Sequence, residues 1–485
     1  MKKILLIDPP GWQGAVNGNP AAPNNGIAYL VAVLKKTGWD IAVLDMNNTV
    51  YSDEETESFI ADFKPDIIGI SCKTATYKAA EKIASGIKKW NFNGKIIFGG
   101  PHITLNADEI FRSTNADILF EGDGETDFPI LADFIISQGD VPEFHYGRLL
   151  KNANGADIYK RTELQPIPEN IFPDYSLFPD NVKEYLKNNY PLFSSRGCPY
   201  KCIYCSVPLI TGAKWRARSV DSIVAEIKYA MENWKICGFD IVDDSWNVDM
   251  NRCKEMCRKI IADRLEVSCA FPNGIRADRV DTELADLMKQ IGCRIVAVGF
   301  ENTDQEVFTN INKGSTVEKI VAGINILKKA KLPVSAYFIV GLPFDTYQKE
   351  IRNIKFIRSL HIKASFNLLV PYPHTKVFEF ISENGKWLAP PENSMHFCNF
   401  LEEIPITFEY ENFSEKEIRK AFIIANISSG TYWNLSKYAP FTLAYYWQIS
   451  CVIFKYAPQY LPEFIGGRIK NIVLRIFKKI LKNVS

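Results

Sequence analysis

The chain of 485 residues alternates short, unbroken apolar runs with amphipathic stretches, and this alternation restricts its fold more than any other feature. Unbroken apolar runs are typical of strands buried on both faces, and strands separated by helices form parallel sheets. In the first third, such runs predict strands at 2–8, 40–46, 65–71, 94–100 and 116–122. The intervening stretches predict helices near 26–37, 53–63, 76–90, 104–113 and 125–138. Residues 1–140 are therefore predicted to form a doubly wound α/β domain with a five-stranded parallel sheet.

The same alternation restarts at residue 191, after a proline-rich stretch (141–190) that predicts a linker. Strands are predicted at 191–197, 239–245, 266–272, 294–301, 333–341 and 364–372, and helices near 220–234, 249–263, 281–290, 316–330 and 346–359. Six β/α units are fewer than the eight of a closed barrel, so residues 191–385 predict an open, partial (β/α)6 barrel. Residues 386–485 lose this regularity and predict a mainly helical C-terminal region.

Composition indicates an ordinary globular protein and gives no reason to expect nucleic acid as a partner. Hydrophobic residues make up 47% of the chain, charged residues 23%, and the formal net charge is +1. The opening "MKKILLIDPPGW" is too short in its apolar part for a signal peptide and predicts a first strand instead. A reducing cytoplasmic location is therefore expected, where clustered cysteines are metal ligands more often than disulfides.

One cysteine cluster stands out among the 11 cysteines of the chain. The stretch "SSRGCPYKCIYCSVP" spaces Cys198, Cys202 and Cys205 as C-x-x-x-C-x-x-C. Thiolates are the usual ligands of iron–sulfur clusters, and three of them on one cubane leave one iron open. The triplet follows the first predicted barrel strand, where barrel active sites are built. A 4Fe–4S cluster is therefore predicted; the alternative is a zinc site completed by a remote ligand.

The stretch around the triplet resembles the radical S-adenosylmethionine (SAM) superfamily, over roughly residues 190–380. Besides the triplet, the resemblance depends on motifs that follow successive predicted strands: "IVDDSW" (241–246), "GFEN" (299–302), "FIVGLP" (338–343) and "VPYPHT" (370–375). It implies a set of SAM contacts: Tyr204, Asp243, Asp244, Glu301, Gly341 and Pro343. The family commonly has Ser where this chain has Asn302, so the "GFEN" motif departs from the family pattern.

The resemblance also implies a part for each motif. Asp243 or Asp244 holds the methionyl ammonium, because a buried carboxylate at a strand end needs a cationic partner. Glu301 contacts the ribose. The turn with Gly341 and Pro343 lies against the adenine, since glycine allows close backbone approach and proline fixes the turn. No side chain is assigned as a catalytic base.

The first domain resembles the cobalamin-binding domain that is fused to some radical SAM enzymes, over about residues 1–140. The resemblance implies cobalamin contacts from three loops after predicted strands: Ser71, Thr74, Thr76, Gly99, Gly100, Pro101, His102, Glu121, Gly122, Asp123, Gly124 and Glu125. Many cobalamin domains supply a cobalt ligand from an Asp-x-His-x-x-Gly loop after the first strand. The corresponding loop here, "DPPGWQGAVNG", has no histidine. For His102, the domain's only histidine, a structural or corrin-edge role is favoured over cobalt ligation.

Together these resemblances imply a cobalamin-dependent radical methyltransferase of class B. One SAM methylates the cobalt, and a second is cleaved at the open iron to a 5′-deoxyadenosyl radical, which activates a carbon. The expected partners are a small-molecule or lipid-like substrate and an external electron donor of the ferredoxin or flavodoxin type. Two alternatives stay open: oxidative cyclisation or carbon–carbon rearrangement without methyl transfer, and a non-catalytic metal-binding regulatory protein.

Two C-terminal segments differ from the rest of the chain. Residues 439–457 are nearly uncharged and aromatic, which favours an interfacial or buried segment. Residues 464–485 predict a basic amphipathic helix. Such a helix is suited to the inner surface of a membrane, and equally to docking on the barrel with a solvated basic face.

Overall fold

The structure is a computed structural model that describes residues 2–11, 21–137, 139–390 and 406–429. Seven strands form the first sheet: β1 (Lys3–Asp8), β2 (Asp40–Asp45), β3 (Ile67–Ser71), β4 (Lys95–Gly99), β5 (Ile118–Phe120), β6 (Gly147–Leu150) and β7 (Asp157–Arg161). Their order is β2-β1-β3-β4-β5-β7-β6, and only β6 runs antiparallel to its neighbour. Five helices accompany β1–β5: α1 (Asn25–Lys36), α2 (Asp53–Phe63), α3 (Tyr77–Lys89), α4 (Pro101–Ile110) and α5 (Asp127–Ser137).

Both faces of this sheet are covered, which explains the unbroken apolar runs. In β1, Ile4 and Leu6 belong to one hydrophobic core, whereas Leu5 and Ile7 belong to a second core on the opposite face. None of the four is more than 1% exposed. Successive side chains of a strand point to opposite faces. When both faces are covered, every position is apolar, and the usual alternation of apolar and polar residues is absent.

The five predicted strands of the first sheet are confirmed, and two further strands extend it. β6 and β7 come from the stretch predicted as a linker and lie at the edge of the sheet, where β7 pairs in parallel with β5. The sequence signal was weak because β6 is only partly buried and β7 carries Asp157, Lys160 and Arg161.

The second sheet contains six parallel strands, as predicted. The strands of this region are β8 (Tyr190–Leu192), β9 (Ser195–Arg196), β10 (Arg216–Ala217), β11 (Gly238–Ile241), β12 (Ser268–Ile275), β13 (Cys293–Glu301), β14 (Val334–Val340) and β15 (Lys363–Leu368). The order β15-β14-β13-β12-β11-β8 ends in two edges, so the sheet is open. Strands β9 and β10 form a separate antiparallel pair, because the first predicted barrel strand breaks after Leu192.

Eight described helices accompany this sheet: five lie at the predicted positions, and those at 180–189, 305–310 and 376–384 were not predicted. The eight helices are α6 (Asp180–Asn189), α7 (Val220–Asn233), α8 (Met250–Ala262), α9 (Thr282–Gln290), α10 (Gln305–Asn310), α11 (Val317–Lys329), α12 (Tyr347–Ser359) and α13 (Lys376–Asn384). Side-chain oxygens of Ser219, Asp249, Asp281, Thr316 and Thr346 cap the amino ends of α7, α8, α9, α11 and α12. Each cap satisfies a backbone N–H that has no partner inside the helix.

The described part of the C-terminal region continues the second domain. It contains β16 (Gly385–Trp387), β17 (Phe408–Tyr410) and α14 (Glu415–Ser429), which packs against α12 and β15. The segments 439–457 and 464–485, which carry the membrane prediction, lie outside the described residues. Among the helices that are described, none combines the length and the apolar character needed to span a membrane.

Candidate active site

A cavity of about 450 Å³ lies where the carboxyl ends of the two parallel sheets face each other. Ser71 and Gly99 line it from the ends of β3 and β4, and Phe193 and Asp244 line it from the segments after β8 and β11. A larger depression of about 580 Å³ lies at the amino ends of β3 and β4 and is lined by surface residues such as Trp90. Ligands of α/β sheets bind beyond the carboxyl ends of the strands, so the cavity between the sheets is the candidate site.

Glycine-containing loops of the first sheet form one wall of this cavity. Eight of the twelve predicted cobalamin contacts line it: Ser71, Gly99, Gly100, Pro101, Gly122, Asp123, Gly124 and Glu125. Gly100 has φ +100°, and a Cβ there would lie 2.9 Å from the carbonyl oxygen of Cys72. Gly122 has φ +86°, and a Cβ there would lie 2.8 Å from the side chain of Arg161. Backbone therefore faces the cavity directly, as a flat macrocycle requires.

Three other predicted cobalamin contacts lie behind this wall. Thr76 is buried in the turn before α3. His102 Nδ1 lies 3.4 Å from Thr74 Oγ1 and 3.2 Å from Asn106 Nδ2, and its ring centroid is 4.2 Å from that of Tyr77. Burial lowers the pKa of His102 to about 4, so the ring is neutral near pH 7. The His102 ring therefore packs between α4 and Tyr77 of α3.

The three carboxylates of the "EGDGE" loop make ion pairs within the protein. Glu121, the last of the predicted contacts outside the lining, binds Lys160 Nζ at 2.9 Å, and burial raises the pKa of this carboxyl. Glu125 Oε1 lies 2.5 Å from Arg196 Nη2, and Asp123 Oδ1 lies 3.2 Å from Arg196 Nη1. The loop therefore contacts the second domain immediately before the cysteine triplet.

The three cysteines occupy a loop that β9 and β10 close at its base. Cys198, Cys202 and Cys205 are all free and partly buried. Burial raises the pKa of Cys198, and it raises that of Cys205 to about 12. These thiols keep their protons until a metal displaces them.

Asp244, after β11, and Arg276, directly after β12, fix the position of the loop. Gly197 N and Thr211 Oγ1 both donate to Asp244 Oδ2, at 2.8 and 2.7 Å. On the other side, the Arg276 guanidinium lies 3.9 Å from the ring centroid of Tyr200, between the first two cysteines. Asp244 therefore both lines the cavity and holds the cysteine loop.

Its neighbour Asp243 is engaged entirely within the protein. Asp243 accepts hydrogen bonds from Ser194 N at 2.7 Å and from the hydroxyls of Ser194 and Ser195 at 2.6 Å each. Burial raises the pKa of Asp243 in spite of these bonds. The interaction fixes the break between β8 and β9. Of the two predicted ammonium contacts, Asp244 lines the cavity and Asp243 does not.

The predicted ribose contact lies at the end of β13, close to the cysteine loop. Glu301 has φ +71°, and its Oε1 accepts from Lys313 Nζ at 2.9 Å. Tyr204 is partly buried beside it; burial raises the pKa of Tyr204, and the Glu301 carboxylate adds to this effect. The structure thus brings Tyr204, Glu301 and the triplet together.

The predicted adenine contacts lie in the turn after β14, next to the C-terminal region. Gly341 has φ +94°, and its carbonyl accepts from the hydroxyl of Tyr410 at 3.2 Å. A Cβ at Gly341 would lie 3.4 Å from Phe408. Pro343 is buried in the same turn. On this side the turn faces β17 and not the cavity.

The donors present fit the two groups that the resemblance implies. Within the part of the chain that the structure describes, no group of three or more His, Cys, Asp and Glu side chains is placed to hold a single metal ion. The three cysteine ligands of a 4Fe–4S cubane bind different irons and therefore lie farther apart than the ligands of a single metal ion. A loop with three cysteines can hold such a cluster even though its thiols are not grouped around one point. The glycine wall and the buried, unpartnered hydroxyl of Tyr29 in the cavity lining fit a large polar-edged cofactor.

Sequence reasoning missed the ionic contacts between the two domains. Arg196 lies within the quoted cysteine stretch, but no partner was predicted for it or for Arg216 and Arg161. The available signal was charge complementarity, because basic residues flank the cysteine triplet and the "EGDGE" loop is acidic.

Two family models match the chain. Residues 16–132 match the B12 binding domain, and residues 192–357 match the radical SAM superfamily. The first match covers strands β2 to β5 of the first sheet with their loops, and the second covers most of the second sheet, including the cysteine loop.

Curated relatives align with most of this chain. The chain is 27% identical over 434 residues to an uncharacterized methyltransferase of Pyrococcus horikoshii, covering 88% of this chain and 92% of the relative. It is 26% identical to a bacteriochlorophyllide d C-12(1)-methyltransferase of Chlorobaculum tepidum, with 78% of each chain covered. It is 24% identical to an anaerobic magnesium-protoporphyrin IX monomethyl ester cyclase of Rubrivivax gelatinosus, covering 79% of this chain and 70% of the relative.

Solved structures show the same fold at low identity. The radical SAM methyltransferase TsrM from Kitasatospora setae superimposes with a TM-score of 0.68 and 16% identity, covering 88% of this chain and 90% of that one. The cobalamin-dependent radical enzyme OxsB gives a TM-score of 0.67 and 15% identity, covering 93% and 70%. Fold and matches define an enzyme with a B12-binding domain and a radical SAM domain. Residues 16–132 belong to the B12-binding domains and residues 192–357 to the radical SAM superfamily, and the cofactors of an enzyme that combines the two are cobalamin, a 4Fe–4S cluster and SAM.

Proposed function

We propose that this enzyme transfers a methyl group to an unactivated carbon of a small-molecule or lipid-like substrate. The observation that carries the proposal is the shared cavity, in which glycine loops of the first sheet face Asp244 and Thr211 at the base of the cysteine loop. A single cavity lined by loops of both sheets allows a methyl carrier in one domain and a radical initiator in the other to act on the same carbon. Relatives of similar length that are named methyltransferases support this choice.

The chain's own residues bind and orient the reactants. When bound, the cluster supplies the electron that cleaves SAM, and the corrin carries the methyl group. We assign Cys198, Cys202 and Cys205 as cluster ligands. We also assign Asp244 to the methionyl ammonium, Glu301 to the ribose, and Gly99, Gly100, Gly122 and Gly124 to the close approach of the corrin. Asp244 and these four glycines line the cavity, which supports the assignment. Burial between two sheets excludes water from reactive species.

We also propose the domain division that the sequence predicted, with one adjustment. Residues 1–140 form the cobalamin-binding domain, and strands β6 and β7 of the 141–190 segment complete its sheet. Residues 191–385 form the radical SAM partial barrel, and residues 386–485 form the C-terminal region.

The test measures the two co-products that separate the reaction classes. Reductive cleavage of SAM yields 5′-deoxyadenosine and methionine, whereas removal of its methyl group yields S-adenosylhomocysteine. Anaerobically reconstituted protein with dithionite, hydroxocobalamin and SAM should form both, and S-adenosylhomocysteine should require the corrin. Formation of 5′-deoxyadenosine alone, with and without corrin, would refute methyl transfer.

Matched cysteine variants show whether the cluster assignment is correct. Replacing Cys198, Cys202 and Cys205 together by Ala should abolish bound iron and 5′-deoxyadenosine. Cys237→Ala changes an exposed cysteine at the other end of the barrel and should leave both unchanged. Equal iron content in the two variants would overturn the assignment.

A second candidate function is oxidative cyclisation, because three relatives that align with about three quarters of this chain are named cyclases. It uses the same cleavage of SAM and needs no methyl transfer, so the absence of S-adenosylhomocysteine would favour it. Either reaction needs a one-electron donor from outside the chain, which we propose to be a ferredoxin or flavodoxin.

A further inference from the structure

The base of the cysteine loop is a short two-stranded ladder, and one carboxylate of the first domain forms ion pairs with both of its strands. In the β9–β10 ladder, Arg196 lies opposite Arg216. Asp123 bridges them, with Oδ1 3.2 Å from Arg196 Nη1 and Oδ2 3.2 Å from Arg216 Nη1. Although burial opposes ionisation, the two guanidinium groups hold the pKa of Asp123 below its usual value. The ionised Asp123 therefore links both strands at the base of the loop to the first domain.

Of the two cations, Arg216 makes one ion pair, whereas Arg196 makes two. Its side chain is 9% exposed and pairs with Glu125 at 2.5 Å in addition to Asp123. The rings of Tyr29 and Phe193 each lie 5.6 Å from its guanidinium carbon. A buried guanidinium requires such partners, because an unpaired charge in this position is strongly unfavourable. Three of these four partners belong to the first domain.

A second contact, in which the arginine belongs to the first domain, links the segment after the third cysteine to the first sheet. Arg161, at the end of β7, donates from Nη1 to Ile210 O at 2.5 Å and from Nη2 to Leu209 O at 3.1 Å. Both carbonyls belong to the turn Pro208–Gly212 between the third cysteine and β10. The loop is thus held to the first domain from two directions.

The residues that grip the cysteine loop also line the cavity proposed for cobalamin. Asp123 and Glu125 contribute to the cavity wall through the same five-residue loop whose glycines face the ligand. Arg196 lines the cavity from the opposite domain. A ligand that orders either loop therefore favours the ion-paired arrangement of both.

We propose that Arg196 is a positioning residue that couples the two cofactor sites, so that each cofactor binds more tightly when the other is present. This inference rests on the cofactor sites proposed above. Coupling between binding sites is reciprocal, so a cluster that raises cobalamin affinity is itself retained better when cobalamin is bound. Arg196 acts through the geometry of two loops and contacts no reacting atom.

The experiment compares hydroxocobalamin affinity in cluster-free and cluster-loaded protein under anaerobic conditions. The ratio of the two dissociation constants is the coupling factor, which we expect to be about fivefold or more in the natural protein. In the double variant R196Q/E125Q it should fall to about one, while Arg196→Lys, which keeps the charge, should restore most of it. A merely structural loss would weaken both affinities and leave their ratio unchanged.

Two further variants keep the test decisive if the double variant folds poorly. Asp123→Asn removes the bridge but keeps the Arg196–Glu125 pair, and it should lower the coupling factor part of the way. Arg294→Gln breaks an ion pair with Asp240, 2.8 Å long and on the far side of the barrel, and should leave the coupling factor unchanged. A factor of one in the natural protein, or an unchanged factor in R196Q/E125Q and Asp123→Asn, overturns the inference. Absence of hydroxocobalamin binding in the natural protein would instead overturn the proposed site and the inference together.

Discussion

Lys313 Nζ lies 2.9 Å from Glu301 Oε1, and both side chains are at most 10% exposed. Breaking such a pair by removing one partner leaves an uncompensated buried charge. We therefore expect Lys313→Met to lower the free energy of unfolding by about 3–5 kcal/mol, measured by urea unfolding. The double variant K313M/E301Q removes both charges and should recover most of this loss.

An exposed lysine provides the control for this pair. Lys151 lies 2.7 Å from Asp157, but its side chain is 58% exposed. Lys151→Met should change the free energy of unfolding by only about 0–1 kcal/mol. If Lys313→Met were as mild as Lys151→Met, Glu301 would not depend on Lys313 for its charge.

Two adjacent glycines of the cavity wall should respond differently to alanine. Gly100 has φ +100° and no room beside the backbone of Cys72, whereas a Cβ at Gly99 meets its nearest atom, Phe120 O, at 3.8 Å. Gly100→Ala should cost about 1–3 kcal/mol of stability through backbone strain. Gly99→Ala should leave the melting temperature nearly unchanged but weaken hydroxocobalamin binding, because its methyl group enters the cavity.

Thermal melting and a visible-absorbance titration with hydroxocobalamin together test this contrast. Equal melting temperatures for the two variants would show that Gly100 does not need its left-handed conformation. Unchanged affinity in Gly99→Ala would place the corrin away from the end of β4.

The position of His102 predicts that it does not ligate cobalt. Its ring contacts Thr74, Asn106 and Tyr77 behind the cavity wall. Bound cob(II)alamin should therefore give an electron paramagnetic resonance spectrum without nitrogen splitting from histidine. His102→Gln should give the same spectrum. Nitrogen splitting that disappears in His102→Gln would show that the ring reaches cobalt.

Most of the fold was predictable because burial on both faces leaves a strong signal. Unbroken apolar runs such as residues 4–7 predicted the parallel strands, and the capping residue Ser219 directly precedes a predicted helix. β6 and β7 were missed because short, partly buried edge strands with charged residues resemble loops.

The candidate site was predictable where its residues are close in sequence. The cysteine triplet and the glycine loops lie within single strand-to-helix connections, so their spacing is visible. Pairs such as Glu125 with Arg196 join residues 71 positions apart, and no local pattern connects them. For the same reason the sequence did not separate Asp244, in the cavity lining, from Asp243, whose partners are Ser194 and Ser195.

A buried pair of acids beside the second sheet gives a prediction about pH. Asp345 and Glu350 are at most 2% exposed, and they interact with each other. Burial, together with the neighbouring carboxylate, raises the pKa of Glu350 well above its usual value, and burial raises that of Asp345 to about 6. The folded chain therefore keeps protons on this pair at a pH where unfolded carboxyl groups have lost them.

A group whose pKa is raised on folding stabilises the protein below its unfolded pKa and loses that contribution as pH rises towards its folded pKa. Glu350→Gln keeps an acceptor for Asn353 Nδ2, 3.2 Å from Glu350 Oε2, and removes the titrating group. Its free energy of unfolding should therefore rise relative to the natural protein by about 1.4 kcal/mol per pH unit from about pH 5 upwards, for as long as the folded Glu350 keeps its proton.

Urea unfolding of both proteins across this range measures the difference. The exposed Glu232 on α7 provides the control, and Glu232→Gln should keep a constant offset from the natural protein. Parallel stability curves for Glu350→Gln and the natural protein would mean that Glu350 ionises equally in the folded and unfolded states. In that case the carboxyl pair would not hold an extra proton, and a counter-charge would have to compensate its burial.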